Sequence, residues 1–326
     1  MPLRGRHRST STTLLVLLAT AFLYAPPNLA QEPSATPTVV GPDPCGECHQ
    51  HEIKAWRQSQ HQQGFFTMHR TAEAKAMAKA LGIKRIKRAP LCLSCHYSEA
   101  PQSVIAKAAT GVSCESCHGP ASGWLDPHAS YGGADATRDT ETEAHRRERQ
   151  EQSLAHGMRP PFALYRLAER CYDCHVIAEP ELVNEAGHPA ASALELVAWT
   201  QGEVRHNYFF SSDQSNREAT PERRRALYVL GHGLALEHGL RALHRDGAGG
   251  GYADAMTELV DRARAALAAV QARTPLPEVA AMLEADSAAE VGAAARAFAE
   301  AHDGTALSAV DELLPAADAY VGQAAR

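Results

Sequence analysis

Hydrophobic and polar positions divide the chain into three parts. The first opens polar and basic, MPLRGRHRST, and then runs apolar from Leu14 to Tyr24. That run is short of the roughly 20 residues a bilayer span needs. With Arg4, Arg6 and Arg8 before it and APPNLA-QE after it, it reads as a secretory signal peptide over residues 1–30, cut after Ala30. Asn28 suits the position two before the cut poorly, which keeps an uncleaved anchor as the alternative. No later stretch has the length and apolarity of a span, so the mature protein reads as soluble and exported, hence periplasmic.

The middle part is mixed in pattern. CHQHEIKAWRQSQHQQGFFTMHR predicts a helix beginning near Cys45, with no Pro or Gly after its cysteine pair until Gly64. EAHRRERQEQSLAHGM predicts a charged, solvated helix that carries His145 and His156. Near residue 211 the pattern changes and alanine rises. Thr220-Pro221 is a helix start, an N-cap followed by proline in the first turn, and that helix should reach about Arg245. GAGGGY then predicts a flexible joint. Helices follow over 254–272, 276–285 and 287–302, the last opened by a Ser287/Glu290 capping box, and a final one over about 306–324. Met256, Leu259, Val260, Ala263, Leu267 and Val270 recur at helical spacing, the pattern of an antiparallel bundle. The expected class is mainly α with little regular sheet. The expected organisation is a signal peptide (1–30), a linker (31–44), a core (45–210) and a C-terminal helical region (211–326).

Charge excludes one class of partner. The net charge of -6 argues against nucleic acid, whose binding relies on clustered Lys and Arg. IKRIKR, with Lys84, Arg85, Lys87 and Arg88, is the basic exception. It reads first as a solvated run, with cofactor carboxylates or a docking partner as the other readings. Aromatics are only 6% of residues, so something else must fill the interior.

The cysteines say what. All eight fall in pairs of one spacing, Cys45/Cys48, Cys92/Cys95, Cys114/Cys117 and Cys171/Cys174. Each pair is followed at once by histidine: His49, His96, His118 and His175. Disulfides across two residues close tiny loops and would make a poor framework. Zinc ribbons use such pairs without requiring the histidine, and a redox dithiol needs a strand before it and a helix after it. Histidine is about one residue in twenty here, so four such placements by chance have a likelihood on the order of one in 100,000. C-x-x-C-H is the attachment signature of haem c: two thiols make thioethers with the porphyrin and the histidine is the proximal ligand. Four haems c would fill the core and bring eight propionates that need cationic or N–H neighbours.

The other axial position separates carriers from catalysts. Of the 17 histidines, His61 lies on the first helix and can reach an iron other than the adjacent one. His69, eight residues on, is turned by about 80° on an ideal helix. His128 follows a short loop after Gly119-Pro120. His188 sits in Gly-His-Pro and His206 in Val-Arg-His-Asn, turns that hold an imidazole rigidly. His232, His238 and His244, six apart, fall on different faces of one helix and read as structural. Met68 and Met158 are the thioether alternatives.

CGECHQHEIKAWRQSQH, GVSCESCHGPASGW, CYDCH followed by AGHP, and GEVRHN together resemble the tetrahaem cytochrome c family of the c-554 type, which accepts electrons from hydroxylamine oxidoreductase. The resemblance covers about residues 40–245. It implies a multihaem core followed by helices, with His61, His128, His188 and His206 as the leading distal ligands and His69 as the fifth candidate for four irons. In some members of the family one haem lacks a distal ligand; here the haem on Cys92 and Cys95 would be the first to inspect. The resulting expectation is a periplasmic electron carrier that works with redox partner proteins. The alternatives are an oxidoreductase for a small nitrogen or sulfur species at one five-coordinate haem, and a subunit docked on a membrane-bound or periplasmic redox complex.

Overall fold

Short helices dominate the first half because prolines, glycines and polar turns recur every few residues. A computed structural model describes residues 1, 36–99, 107–211, 213–322 and 324. Residues 2–35, with the expected signal peptide, lie outside the described residues. Residues 37–326 form one compact unit. Helix makes up 61% of the structure and strand 2%, so the protein is mainly α. No helix among the described residues is long and apolar enough to cross a membrane.

The single helix expected after Cys45 is three. They are α1 (Asp43–Gly46), α2 (Gln50–Gln58) and α3 (Gln60–Thr67). The chain breaks at His49 and again at Ser59, whose backbone is extended. One tertiary and one local bond hold the second break. Trp56 donates its indole N–H to the Val112 carbonyl at 2.8 Å, and the Ser59 hydroxyl donates to the Trp56 carbonyl at 2.8 Å. His69 then falls in a 3-10 turn, Met68–Arg70, not on a continued helix. Next come α4 (Ala72–Ala80), α5 (Pro90–His96), a two-stranded antiparallel hairpin of β1 (Ser98–Glu99) and β2 (Ala108–Thr110), α6 (Cys114–His118) and α7 (Leu125–Ala129). α8 (Glu143–Ala155), α9 (Leu164–His175), α10 (Pro180–Asn184) and α11 (Leu196–Gln201) complete this half.

Four longer helices follow: α12 (Pro221–Leu243), α13 (Gly250–Arg273), α14 (Pro277–Glu284) and α15 (Ala288–Ala301). Thr220 caps α12 by accepting the Arg223 N–H at 3.3 Å. The Ser287/Glu290 capping box is formed. GAGGGY is not a free joint: α13 begins inside it, at Gly250. The last expected helix is absent. Pro315 cannot continue a helical ladder and drives Leu314 extended, so only 3-10 turns form, Ser308–Leu313 and Ala317–Ala319.

α12 is the axis of the fold. It is buried on nearly every face, by α13, α14 and α15 on the bundle side and by α9 and α11 on the other. Gly231 and Gly233 make that approach possible. A Cβ on Gly231 would stand 2.8 Å from Leu196 Cβ, and one on Gly233 would stand 2.8 Å from the Met282 sulfur. The packed interior therefore runs without a gap from the C-terminal bundle to α9, which carries the fourth cysteine pair.

Candidate metal centres

Each C-x-x-C-H motif sits where a helix meets a turn. The second, third and fourth end α5, α6 and α9, and their histidines are the last helical residues. The first straddles the α1–α2 junction. Cysteines three apart on a helical turn project from one face. Pro90 starts α5 at a position where its missing N–H costs nothing. Ser113 and Ser116 cap α6 reciprocally. None of the eight cysteines is disulfide-bonded.

Cys48 differs from the other seven thiols. It is exposed, whereas Cys45, Cys92, Cys95, Cys114, Cys117, Cys171 and Cys174 are half-buried. The cause is local. α1 ends at Gly46, so Cys48 falls in the turn that follows, held only by its N–H on the Cys45 carbonyl at 3.4 Å. The other three motifs lie wholly on helices, and the first does not. The first motif is therefore the most solvent-facing of the four at its second thiol.

The motif histidines are paired with histidines from elsewhere in the chain. The ring centroids of His49 and His128 are 6.4 Å apart, those of His175 and His61 6.3 Å, His96 and His188 6.1 Å, and His118 and His206 6.2 Å. An imidazole binds a metal at about 2.0 Å and its centroid lies roughly 1.1 Å behind the ligating nitrogen, so two rings on opposite sides of one ion should be about 6.2 Å apart. All four pairs match that separation. The donor set therefore fits four six-coordinate haem irons.

Hydrogen bonds fix which nitrogen is free. His118 donates Nδ1–H to the Arg159 carbonyl at 3.1 Å, His188 to the Pro189 carbonyl at 2.8 Å, His206 to the Val204 carbonyl at 2.7 Å, and His128 to the Leu125 carbonyl. A carbonyl only accepts, so each neutral ring keeps its lone pair on Nε2. His175 Nδ1 meets the Ser192 hydroxyl at 2.9 Å. Burial also holds the rings neutral. It pushes His118 and His175 down to about 4 and lowers His61, His96 and His128. The neutral imidazole is the metal-binding form.

Backbone bonds then lock the elements together. Val112 donates its N–H to the His61 carbonyl at 3.0 Å, and Gln62 Oε1 accepts from Thr110 Oγ1 at 2.8 Å. The strand leading into the third motif thus carries the helix that presents His61. Glu115, inside that motif, is buried, and its carboxylate accepts N–H groups of Val40 at 2.9 Å, Gly41 at 2.8 Å and Ala121 at 2.7 Å. The motifs also neighbour one another. Cys45 lies beside Cys114 and Cys95 beside Cys174, close enough that the neighbouring thiol pushes Cys45 and Cys95 down and Cys114 and Cys174 up. The first and third motifs are thus adjacent, as are the second and fourth.

His69 stands apart from all four pairs. It lines a basic cavity, and its Nδ1 is buried without a partner. Met68 packs against Leu93, Tyr97 and Ala108. His145 bonds Glu141 at 2.7 Å, and His156 bonds the Gln152 carbonyl at 2.8 Å. His232 packs edge-on against Tyr228. His238, Glu169 and Glu237 place ligand atoms within 4.8 Å of one another, but Glu237 already holds the Tyr165 hydroxyl at 2.8 Å and pairs with Arg241. Sequence reasoning misses Glu115, Ser192 and the Arg159 carbonyl. Glu115 lies in the variable part of its motif, and a backbone acceptor carries no sequence signal.

Residues 44–119 match the family described as cytochrome c554 and c-prime. Cytochrome c-554 of Nitrosomonas europaea is 25% identical over 186 residues, 53% of this chain and 70% of that protein. No solved structure matches.

Proposed function

Because the chain belongs to the cytochrome c-554 type family, and so to the c-type cytochromes of electron transfer with covalently bound haem, we propose that it carries electrons through four haems c in the periplasm. Cys45/Cys48, Cys92/Cys95, Cys114/Cys117 and Cys171/Cys174 would hold the thioethers, with His49, His96, His118 and His175 as proximal ligands. His128, His188, His206 and His61 would be the respective distal ligands. The observation that carries this reading is the shared separation of 6.1–6.4 Å in four histidine pairs, each joining a motif histidine to a distant one.

Haem iron between two histidines exchanges single electrons at low potential compared with histidine/methionine ligation. The chain's own residues orient the rings through Arg159, Leu125, Pro189, Val204 and Ser192, and such outer partners tune ligand basicity. Adjacent motifs, first with third, third with fourth through α6 against α9, and second with fourth, would make a conducting path. A second histidine beside every motif histidine, that of the Cys92/Cys95 motif included, favours electron transfer over catalysis at an open iron. Residues 45–210 would form the haem core, and residues 211–326 would buttress it through α12 against α9. Export would follow from residues 1–30.

The test is mass spectrometry and EPR of the mature chain expressed with a haem-ligation system. Four added haem masses and only low-spin signals are expected. Free or disulfide-linked thiols would end the reading.

A further inference from the structure

Residues 70–88 hold seven Lys and Arg and one acid, Glu73, in a chain whose net charge is -6. The structure gathers this segment around an open cavity of about 680 Å³ lined by His69, Lys75, Lys79 and the run Lys84-Arg85-Ile86-Lys87-Arg88, with no acidic side chain. Arginines elsewhere find carboxylates, as Arg149 does on Glu141, Arg224 on Glu218 and Arg225 on Asp311. Among the described residues none of the cavity's cations is ion-paired. Lys75, Lys79, Lys84, Arg85 and Arg88 are exposed. Like charges this close repel, and two further observations mark the field as uncompensated. Burial and Arg70 both push the Lys87 ammonium down, and the His69 Nδ1 is buried at the cavity wall with no partner.

The cavity has a defined place relative to the second cysteine motif. Lys87 lies 3.4 Å from the centre of the Phe65 ring and 5.7 Å from that of Tyr97. Those rings pack with Leu93, which lies between Cys92 and Cys95. α5, which bears that motif, begins two residues after Arg88. None of the eight paired histidines lines the cavity. Its cations come from α4 and from the turn that follows it. Lys75 and Lys79 are one helical turn apart and Lys84, Arg85 and Arg88 follow beyond the helix, an exposed array that suits a carboxylate-bearing surface.

We propose that this basic cavity is the docking face for an acidic electron-transfer protein, which seats its carboxylates on Lys75, Lys79, Lys84, Arg85 and Arg88 beside the Cys92–His96 motif. The inference rests on the reading of the chain as an electron carrier.

Flavodoxin, an acidic one-electron carrier, is the probe, and mitochondrial cytochrome c, a basic one, is the control. Calorimetry on the haem-loaded protein should give a flavodoxin Kd that weakens at least tenfold from about 10 to 150 mM salt. The exposed triple variant Lys79→Glu/Lys84→Glu/Arg85→Glu should weaken it roughly tenfold more at low salt, without weakening cytochrome c binding. Carbodiimide cross-links to flavodoxin should map to Lys75, Lys79 and Lys84 in the parent. An unchanged Kd in the variant, or cross-links mapping elsewhere, overturns the proposal. Tripolyphosphate binding lost in the variant with flavodoxin affinity intact would make this a small-anion site and also overturn it. Shifted haem potentials with flavodoxin affinity intact would assign the cations to haem carboxylates and overturn it too. A mass lacking haem would sink the electron-carrier reading, while the docking measurement stands on its own.

Discussion

Glu115 accepts the backbone N–H of Gly41 at 2.8 Å, a bond that spans 74 positions of the chain. The same carboxylate takes the N–H groups of Val40 and Ala121, so its two oxygens face only donors. This buried group ties the segment that enters the first cysteine motif to the third motif, whose cysteines flank it. Glu115→Gln turns an NH₂ group toward those donors and leaves them unpaired. A loss of about 1–3 kcal/mol is expected, the cost of an unsatisfied buried group. Guanidinium unfolding of the haem-loaded protein measures it. A variant as stable as the parent would show that the clamp contributes nothing.

What could be read from the chain before its structure divides along physical lines. Local chemistry was legible: Thr220-Pro221 and Ser287/Glu290 mark helix starts because capping is satisfied within one turn. Gly119, at a φ of 91°, stops α6 as its sequence implies. Breaks imposed from a distance were not legible. Ser59 interrupts a good helical pattern because Trp56 is drawn to the Val112 carbonyl. Pro315 was a local warning that the alanine-rich tail outweighed. The C-x-x-C-H spacing named four motif histidines, but which distant ring meets which depends on the fold. So does the exposure of each thiol: Cys48 has the same spacing as its three counterparts, yet it alone faces solvent. The structure sets His61, His128, His188 and His206 against the motif histidines and leaves His69 on a basic cavity wall.

The histidine pairing makes a spectroscopic prediction. His188 faces His96, and its Nδ1 is held by the Pro189 carbonyl. His188→Ala should convert about one quarter of the iron to a high-spin signal in the EPR spectrum, since one iron in four would lose a ligand. His69→Ala should leave the iron low-spin. The reverse outcome, with His69 and not His188 controlling a spin state, would break the pairing.

Glu141 should give the protein part of its acid sensitivity. Arg149 donates Nε to one oxygen at 2.7 Å and Nη2 to the other at 2.6 Å, and His145 adds a contact at 2.7 Å. The Arg149 hydrogen bonds, with His145, hold the carboxyl at about 2 against an ordinary 4.5. The folded-state value is depressed, so the stabilisation is fully present above about 4.5 and is lost as pH falls toward 2. Up to about 3 kcal/mol is at stake. Arg149 also holds the His128 carbonyl at 2.8 Å, so the pair supports a ring of the His49–His128 couple. Glu141→Gln should be less stable than the parent at pH 6, with the gap closing between about pH 5 and 2 in guanidinium titrations. A gap independent of pH would exclude this carboxylate as the source.

Two glycine substitutions of the same kind should change stability in opposite directions. Alanine for glycine within a helix ordinarily stabilises by about 1 kcal/mol. Gly251 is exposed in the first turn of α13 with nothing within 4 Å of an added Cβ, so Gly251→Ala should raise stability by a few tenths to about 1 kcal/mol. Gly231 lies in the middle of α12, where the new Cβ would stand 2.8 Å from Leu196 Cβ and 3.2 Å from the Tyr172 hydroxyl. Both neighbours are only 2% exposed and cannot swing away. Overpacking of this kind costs roughly 1–3 kcal/mol, which outweighs the helix gain. Gly231→Ala should therefore destabilise, and Gly231→Val more so. Because Tyr172 follows Cys171 directly, the strain should also perturb the absorption of the haem proposed on Cys171 and Cys174. Equal and favourable effects at both glycines would mean that α12 is not held as tightly against α9 and α11 as the interatomic distances require.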